Sequence, residues 1–165
     1  MSNRLAELCR AWQQWATIAD SSEDGWESDF PQWQSLMSSA KEYMRDAQLQ
    51  IPNLPGLELC WQISEESEEM ADYARAHYVD CWPVLMELAK SKNPRVRWQA
   101  YSVLPAGGIV SERILRQGLN DSDPYCRRRA LLALAQLKPR DSAELRARFL
   151  QDSDPYIQKA ATEFK

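Results

Sequence analysis

In the second half of the chain, apolar residues recur at helical spacing three times. The sets are Val96, Ala100, Val103 and Leu104; Cys126, Ala130, Ala133 and Leu134; and Ile157, Ala161 and Phe164. Each begins two residues after a proline, and its members share one stripe of an α-helix. The prolines Pro94, Pro124 and Pro155 follow one another at 30 and 31 residues. The alanines in each stripe leave room for a neighbouring helix to come close. Between these segments lie two more amphipathic runs. One carries Ile109, Ile114, Leu115 and Leu119, the other Leu145, Phe149 and Leu150. Pro105-Ala106-Gly107-Gly108 and Lys138-Pro139-Arg140-Asp141 supply turns. The unit is helix, turn, helix, turn, repeated about every 30 residues, which is the signature of a helical solenoid.

The first half is helical without a clear repeat. Leu5, Leu8, Trp12, Trp15 and Ala19 form one stripe, and Trp33, Leu36, Met37, Ala40, Met44 and Ala47 another. Asp29-Phe30-Pro31 reads as a helix start, with a cap and an early proline. The stretch from Leu49 to Ile63 holds Pro52, Pro55 and Gly56 and reads as a loop. Its alternating Leu57, Leu59, Trp61 and Ile63 suggest a short extended piece. Ser64 reads as the cap of an acidic-starting helix whose apolar side is Met70, Ala74, Tyr78 and Cys81. Pro83 is expected to break or kink that helix, with Val84 to Lys90 completing a degenerate first repeat.

Composition narrows the class. With 44% hydrophobic residues the 165-residue chain can build a core, and its five glycines argue against a turn-rich β fold and against glycine-lined phosphate loops. No signal peptide or membrane span is visible, which points to the cytoplasm. Cys9, Cys60, Cys81 and Cys126 form no CxxC pair and read as small buried residues. The net charge of −4 conceals a division. Residues 1–90 hold 16 acids against 6 bases, a net of −10, and residues 91–165 hold 8 against 14, a net of +6. Six of the seven tryptophans lie in the acidic part, so the two halves present different surfaces.

The string Asp-Ser-Asp-Pro-Tyr occurs twice, at Asp121–Tyr125 and Asp152–Tyr156. Clustered carboxylates suit a hard cation, but a calcium loop needs six or more oxygens and usually a glycine turn. The alternative is architectural. Asp123 and Asp154 cap helices, and Pro124 and Pro155 take the first helical position, where a missing N–H costs nothing. Tyr125 and Tyr156, which capping leaves unexplained, are expected near one edge of the solenoid. His77 and Cys81 stand four apart on a helical face, yet structural zinc needs two further ligands, so no metal is assigned. The single histidine also disfavours a hydrolytic triad. Arg127-Arg128-Arg129 could hold phosphate, but three consecutive residues fan around a helix, and Arg127 is expected to pair with a capping aspartate.

Asn93-Pro94-Arg95-Val96-Arg97-Trp98-Gln99-Ala100 and Asp123-Pro124-Tyr125-Cys126-Arg127-Arg128-Arg129-Ala130 resemble short bacterial HEAT-like repeats of the kind first noted in phycobilin lyases. The resemblance spans roughly residues 83–165. It implies an all-α fold: a short, right-handed α-solenoid of HEAT-like helical hairpins, preceded by an irregular helical part at residues 1–82, the whole forming one domain. It further implies that the capping aspartates bridge to arginines of adjacent repeats, except where Gln158 replaces the arginine. Such arrays bind macromolecules and seldom do chemistry.

The expected function is therefore a non-enzymatic protein-binding module without a cofactor, monomeric when free. The small, acidic, tryptophan-rich chain also loosely resembles bacterial immunity proteins, which implies a basic partner such as a nuclease toxin. The expected contact residues are Glu23, Asp24, Trp26 and Glu27, then Glu65, Glu66, Glu69 and Asp72, with Tyr125 and Tyr156 on the repeats. Aromatic anchors within a charged rim suit such a contact. The rival expectations are a lyase or other enzyme-associated subunit, and a nucleic-acid binder using residues 91–165.

Overall fold

The computed structural model describes residues 2–19, 27–46 and 54–162, and among them the regular structure is entirely helical. Two compact units result, Met1–Leu88 and Ala89–Lys165.

The first unit contains α1 (Ser2–Ala19), α2 (Trp33–Asp46), α3 (Leu54–Ile63), α4 (Glu69–Ala76) and α5 (Tyr78–Leu88). Helix α2 is central and packs against the other four. Of its expected stripe, Leu36, Met37, Ala40 and Met44 are fully buried and Trp33 nearly so, and Ala47 lies outside the described residues. Four packed neighbours leave α2 only a narrow solvent face, which fits its strong amphipathic pattern. Phe30 is also buried and stacks on Trp15, with ring centroids 5.6 Å apart.

Four local expectations for this unit are corrected. Leu54–Ile63 is a helix, neither a loop nor an extended piece. Pro55 falls in its first turn, where a proline is tolerated. Leu57, Cys60 and Trp61, at helical spacing, are fully buried. Leu59, which an alternating strand would bury with them, is only half-buried. Ser64 caps no helix start. Its hydroxyl donates to the Cys60 carbonyl at 2.8 Å and closes the end of α3. Helix α4 begins only at Glu69, after Glu68 adopts a left-handed backbone with φ 50°. Helix α2 likewise starts at Trp33, after a 3₁₀ turn at Glu27–Asp29, so Pro31 lies before the helix. Finally, Pro83 sits inside α5 without ending it, and the interruption falls at His77. Cys81, Val84, Leu85 and Leu88 around the proline are fully buried, and this packing holds the helix together. Val84 to Leu88 thus belongs to α5 and is no separate helix.

The second unit is the repeat array: α6 (Pro94–Val103), α7 (Glu112–Gly118), α8 (Pro124–Leu137), α9 (Ser142–Phe149) and α10 (Pro155–Thr162). Together these helices form a short α-solenoid. Helix α8 packs against α6, α7, α9 and α10. Its stripe of Cys126, Ala130, Ala133 and Leu134 is buried, as are Val96, Ala100 and Val103 of α6 and Ile157 and Ala161 of α10. At Gly118 the packing is close. A Cβ there would lie 2.8 Å from the Ala130 Cβ and 3.1 Å from the Tyr101 ring, so only glycine lets α7 seat on α8. Gly108, at φ 63°, turns the chain within the 3₁₀ stretch Leu104–Ser111 that leads into α7.

Candidate functional site

Each repeated motif places two aspartates in one turn, and the two do different work. The second is the helix cap. Asp123 accepts the Cys126 amide at 2.9 Å, and Asp154 accepts the amides of Tyr156 at 2.8 Å and Ile157 at 3.3 Å. Asn93 does the same for α6, accepting from the Arg95 amide at 3.0 Å. Pro94, Pro124 and Pro155 each open the helix that follows. Each cap satisfies an otherwise orphaned N–H and is worth about 1 kcal/mol.

The first aspartate is the bridge. Asp121 accepts the Asp123 amide at 2.9 Å and a two-pronged contact from Arg97 on α6, with Nε at 2.8 Å and Nη2 at 2.7 Å. Asp152 accepts the Asp154 amide at 2.9 Å and the same contact from Arg127 on α8, at 3.1 and 2.9 Å. The remaining nitrogen of each arginine stays in its own repeat. Arg97 Nη1 donates to the carbonyls of Ser91 and Lys92, and Arg127 Nη1 to those of Asp121 and Ser122. Gln158, in the arginine's place, keeps only this inner contact, donating to the Asp152 carbonyl at 2.7 Å. The expectation that Arg127 pairs with a capping aspartate is therefore corrected: its partner is Asp152, not Asp154. A cap oxygen must face its own helix, whereas an aspartate two residues earlier is free to face the preceding one.

These pairs are well shielded. The Arg97 and Asp121 side chains are 13% and 6% exposed, and those of Arg127 and Asp152 are 15% and 11%. Burial alone would push the Asp121 carboxyl up. Hydrogen bonds from Arg97, the Asp123 amide and Tyr101 outweigh it and hold the carboxyl below its usual 3.8. The same balance, with Arg127 and the Asp154 amide, lowers Asp152. Tyr101 donates its hydroxyl to Asp121 at 3.2 Å; burial first, then the neighbouring carboxylate, raises its pKa.

The acidic residues of the first unit are arranged otherwise. Glu23, Asp24 and Trp26 lie outside the described residues. Glu27 is exposed in the 3₁₀ turn, and Glu66 is exposed in the turn before α4. Glu65 is half-buried in that same turn. Glu69 faces inward, with one oxygen 2.6 Å from Lys41 Nζ and the other accepting from the Trp33 indole at 3.3 Å. It ties α4 to α2, so little of it is left for a partner. Asp72 pairs with Arg75 at the surface. His77 is exposed and stacks on Tyr73, whereas Cys81 is fully buried and its thiol is pushed up to about 11 by burial and Asp80. Among the described residues, no three His, Cys, Asp or Glu side chains stand together as metal ligands. No described helix is long and apolar enough to cross a membrane.

Tyr125 and Tyr156 each stand second in their helix, α8 and α10. The Arg127–Asp152 bridge draws the starts of these helices together and places both tyrosines at one end of the array. They are 40% and 78% exposed. Tyr125 stands edge-on to Trp98 at 5.3 Å, and the Arg129 guanidinium lies 4.7 Å from the Trp98 ring centre and 5.1 Å from that of Tyr125. The basic triplet thus fans out as expected: Arg127 bridges repeats, Arg129 stacks on two aromatics, and Arg128 is half-buried beside them. Trp98 and Arg129 had no signal as a pair. Their contact joins neighbouring repeats, and only the four-residue spacing of Tyr125 and Arg129 hinted at half of it.

Helix pairs stacked through capped, arginine-bridged turns define a helical-repeat protein of the solenoid class. More particularly, residues 112–164 match the family model for HEAT repeats. No curated protein matches the chain.

Proposed function

We propose that the chain is a non-enzymatic protein-binding module acting in the cytoplasm, and more narrowly an immunity protein that occupies the active site of a basic nuclease toxin. The observation that carries this reading is the contrast in how carboxylates are used. In the repeats, Asp121, Asp123, Asp152 and Asp154 are committed to caps and bridges. In the acidic half, Glu27 and Glu66 stand exposed. Such groups can substitute for substrate phosphates in a basic cleft, and their field accelerates encounter with a cationic partner. Trp26, next to Glu27 in the sequence, would provide the buried anchor that dominates such interfaces.

The test uses the partner recovered from the native cell. Changing Glu23, Asp24 and Glu27 together to lysine should slow association at least tenfold at low salt, with little change in the unfolding midpoint. Changing Glu66 to lysine as well should slow it further. Unchanged association of the triple variant would overturn the site, and recovery of pigment-bearing proteins alone would favour a lyase-type subunit instead.

A further inference from the structure

Among the arginines of the second unit, Arg97, Arg116 and Arg127 each hold a carboxylate, whereas Arg129 holds none among the described residues. Its guanidinium is fixed by aromatic stacking on Trp98 and Tyr125, and its Nη2 donates to the Tyr125 hydroxyl at 2.7 Å. Its Nε is buried with no acceptor. A guanidinium held in place by rings, rather than by an anion, keeps its charge for an incoming group and loses little freedom on binding.

Arg129 also has the right surroundings. Tyr125, Arg128, Arg129 and Leu132 follow one another at helical spacing on the solvent side of α8, with Tyr125 and Leu132 exposed. Helix α10, packed alongside, adds exposed Tyr156 and Lys159. No Asp or Glu interrupts this stripe on α8. The nearest acid in sequence, Asp123, is turned into its own helix as a cap.

We propose that this stripe is a docking surface for an acidic protein segment, with Arg129 receiving a carboxylate and Tyr156 and Leu132 meeting its apolar side chains. The surface lies wholly within the second unit and stands independently of the reading under Proposed function, whose contacts are acidic and belong to the first. Charge decides the sign of the partner, and chemistry decides its class. Polyanion binding grows with the number of phosphates neutralised, and a nucleic acid requires a track of cations. Here Arg127 is already bridged, which leaves Arg128, Arg129 and Lys159. One carboxylate on the outer guanidinium nitrogens, flanked by apolar residues, matches that inventory better.

The experiment titrates the full chain with three probes, followed by proton–nitrogen NMR. They are a short peptide alternating leucine with glutamate and aspartate, its twin with glutamine and asparagine, and a single-stranded oligonucleotide of similar length. The acidic peptide should shift the Trp98 indole and Arg129 Nε resonances and bind about tenfold more tightly than its amide twin. Arg129→Gln should remove that advantage and Arg129→Lys should restore only part of it. Lys159→Glu, at an exposed position outside the stack, should weaken binding in a chain that remains folded. Reversal of Glu23, Asp24 and Glu27 should leave it unchanged. Equal binding of the two peptides, unmoved Trp98 and Arg129 signals, or tighter and steeply salt-dependent binding of the oligonucleotide would each overturn the proposal.

Discussion

Each unit packs four helices around a central one, α2 or α8, but the two fasten their helices by different means. In the first, a single helix, α2, is surrounded by four others, and large side chains such as Trp61, Met37 and Met44 fill an irregular core. In the second, Phe149, Leu104 and Leu115 are buried beside the alanines of the repeated stripe, and the same turn chemistry recurs from repeat to repeat. Identical letters can therefore mean architecture. Asp-Ser-Asp-Pro-Tyr is a device for starting a helix and fastening it to its predecessor. Glu27 and Glu66 of the first unit enter no such device and stand exposed, and for that reason they are the better candidates for recognition.

Breaking the bridge should have the largest effect. Asp121→Ala leaves Arg97 shielded and unpaired and frees the Asp123 amide and Tyr101 hydroxyl. A loss of about 3–5 kcal/mol is expected in urea unfolding. Asp152→Ala should cost about 1 kcal/mol less, because Leu131 stands where the first bridge has Tyr101 and offers no hydroxyl. Equal losses would show that Tyr101 contributes nothing. Gly118→Ala should follow, at about 1–3 kcal/mol, since the added methyl collides with Ala130 and Tyr101.

Acid should expose the same asymmetry. Both bridge carboxyls titrate below their usual value in the folded chain, so their contribution is complete above the unfolded pKa and disappears as pH falls through the folded one. Stability should therefore fall as the pH drops below the usual carboxylate range in the parent, and less steeply in Asp121→Asn. Smaller still is the cap: Asp123→Ala should cost about 1 kcal/mol, read from the same unfolding curves. Finally, burial pushes the Cys126 thiol up to about 12 and Cys81 to about 11. Neither should react with a thiol reagent at neutral pH until the chain unfolds. Rapid labelling of either in the native chain would favour a lyase-type role that needs a reactive cysteine.

The repeat was legible in the sequence because its spacing, caps and prolines are local and recur. The bridges were legible only in part. Pairing between turns of adjacent repeats is a tertiary matter, and the one local clue was the cap, which commits Asp154 to its own helix and leaves Asp152 for Arg127. The first unit was harder. Ten residues ending at Ile63 satisfy both helical and alternating periods, and burial of Trp61 and Cys60 decided for the helix. Glu69 reads as surface charge in sequence, and only the fold brings Lys41 and Trp33 to it. The stack of Trp98, Tyr125 and Arg129 joins two repeats, and only the four-residue spacing of Tyr125 and Arg129 was local.

The claim that this chain works by binding another protein is tested most directly by affinity capture. The tagged full chain is used as bait in extract from its native cell, including products of adjacent genes, and the parent is compared with the Glu23, Asp24 and Glu27 reversal. One basic protein should be recovered in near-equimolar amount by the parent, released by salt and lost with the reversal. Recovery of nucleic acid or pigment proteins alone, or of the same protein by both chains in equal amount, would contradict the account.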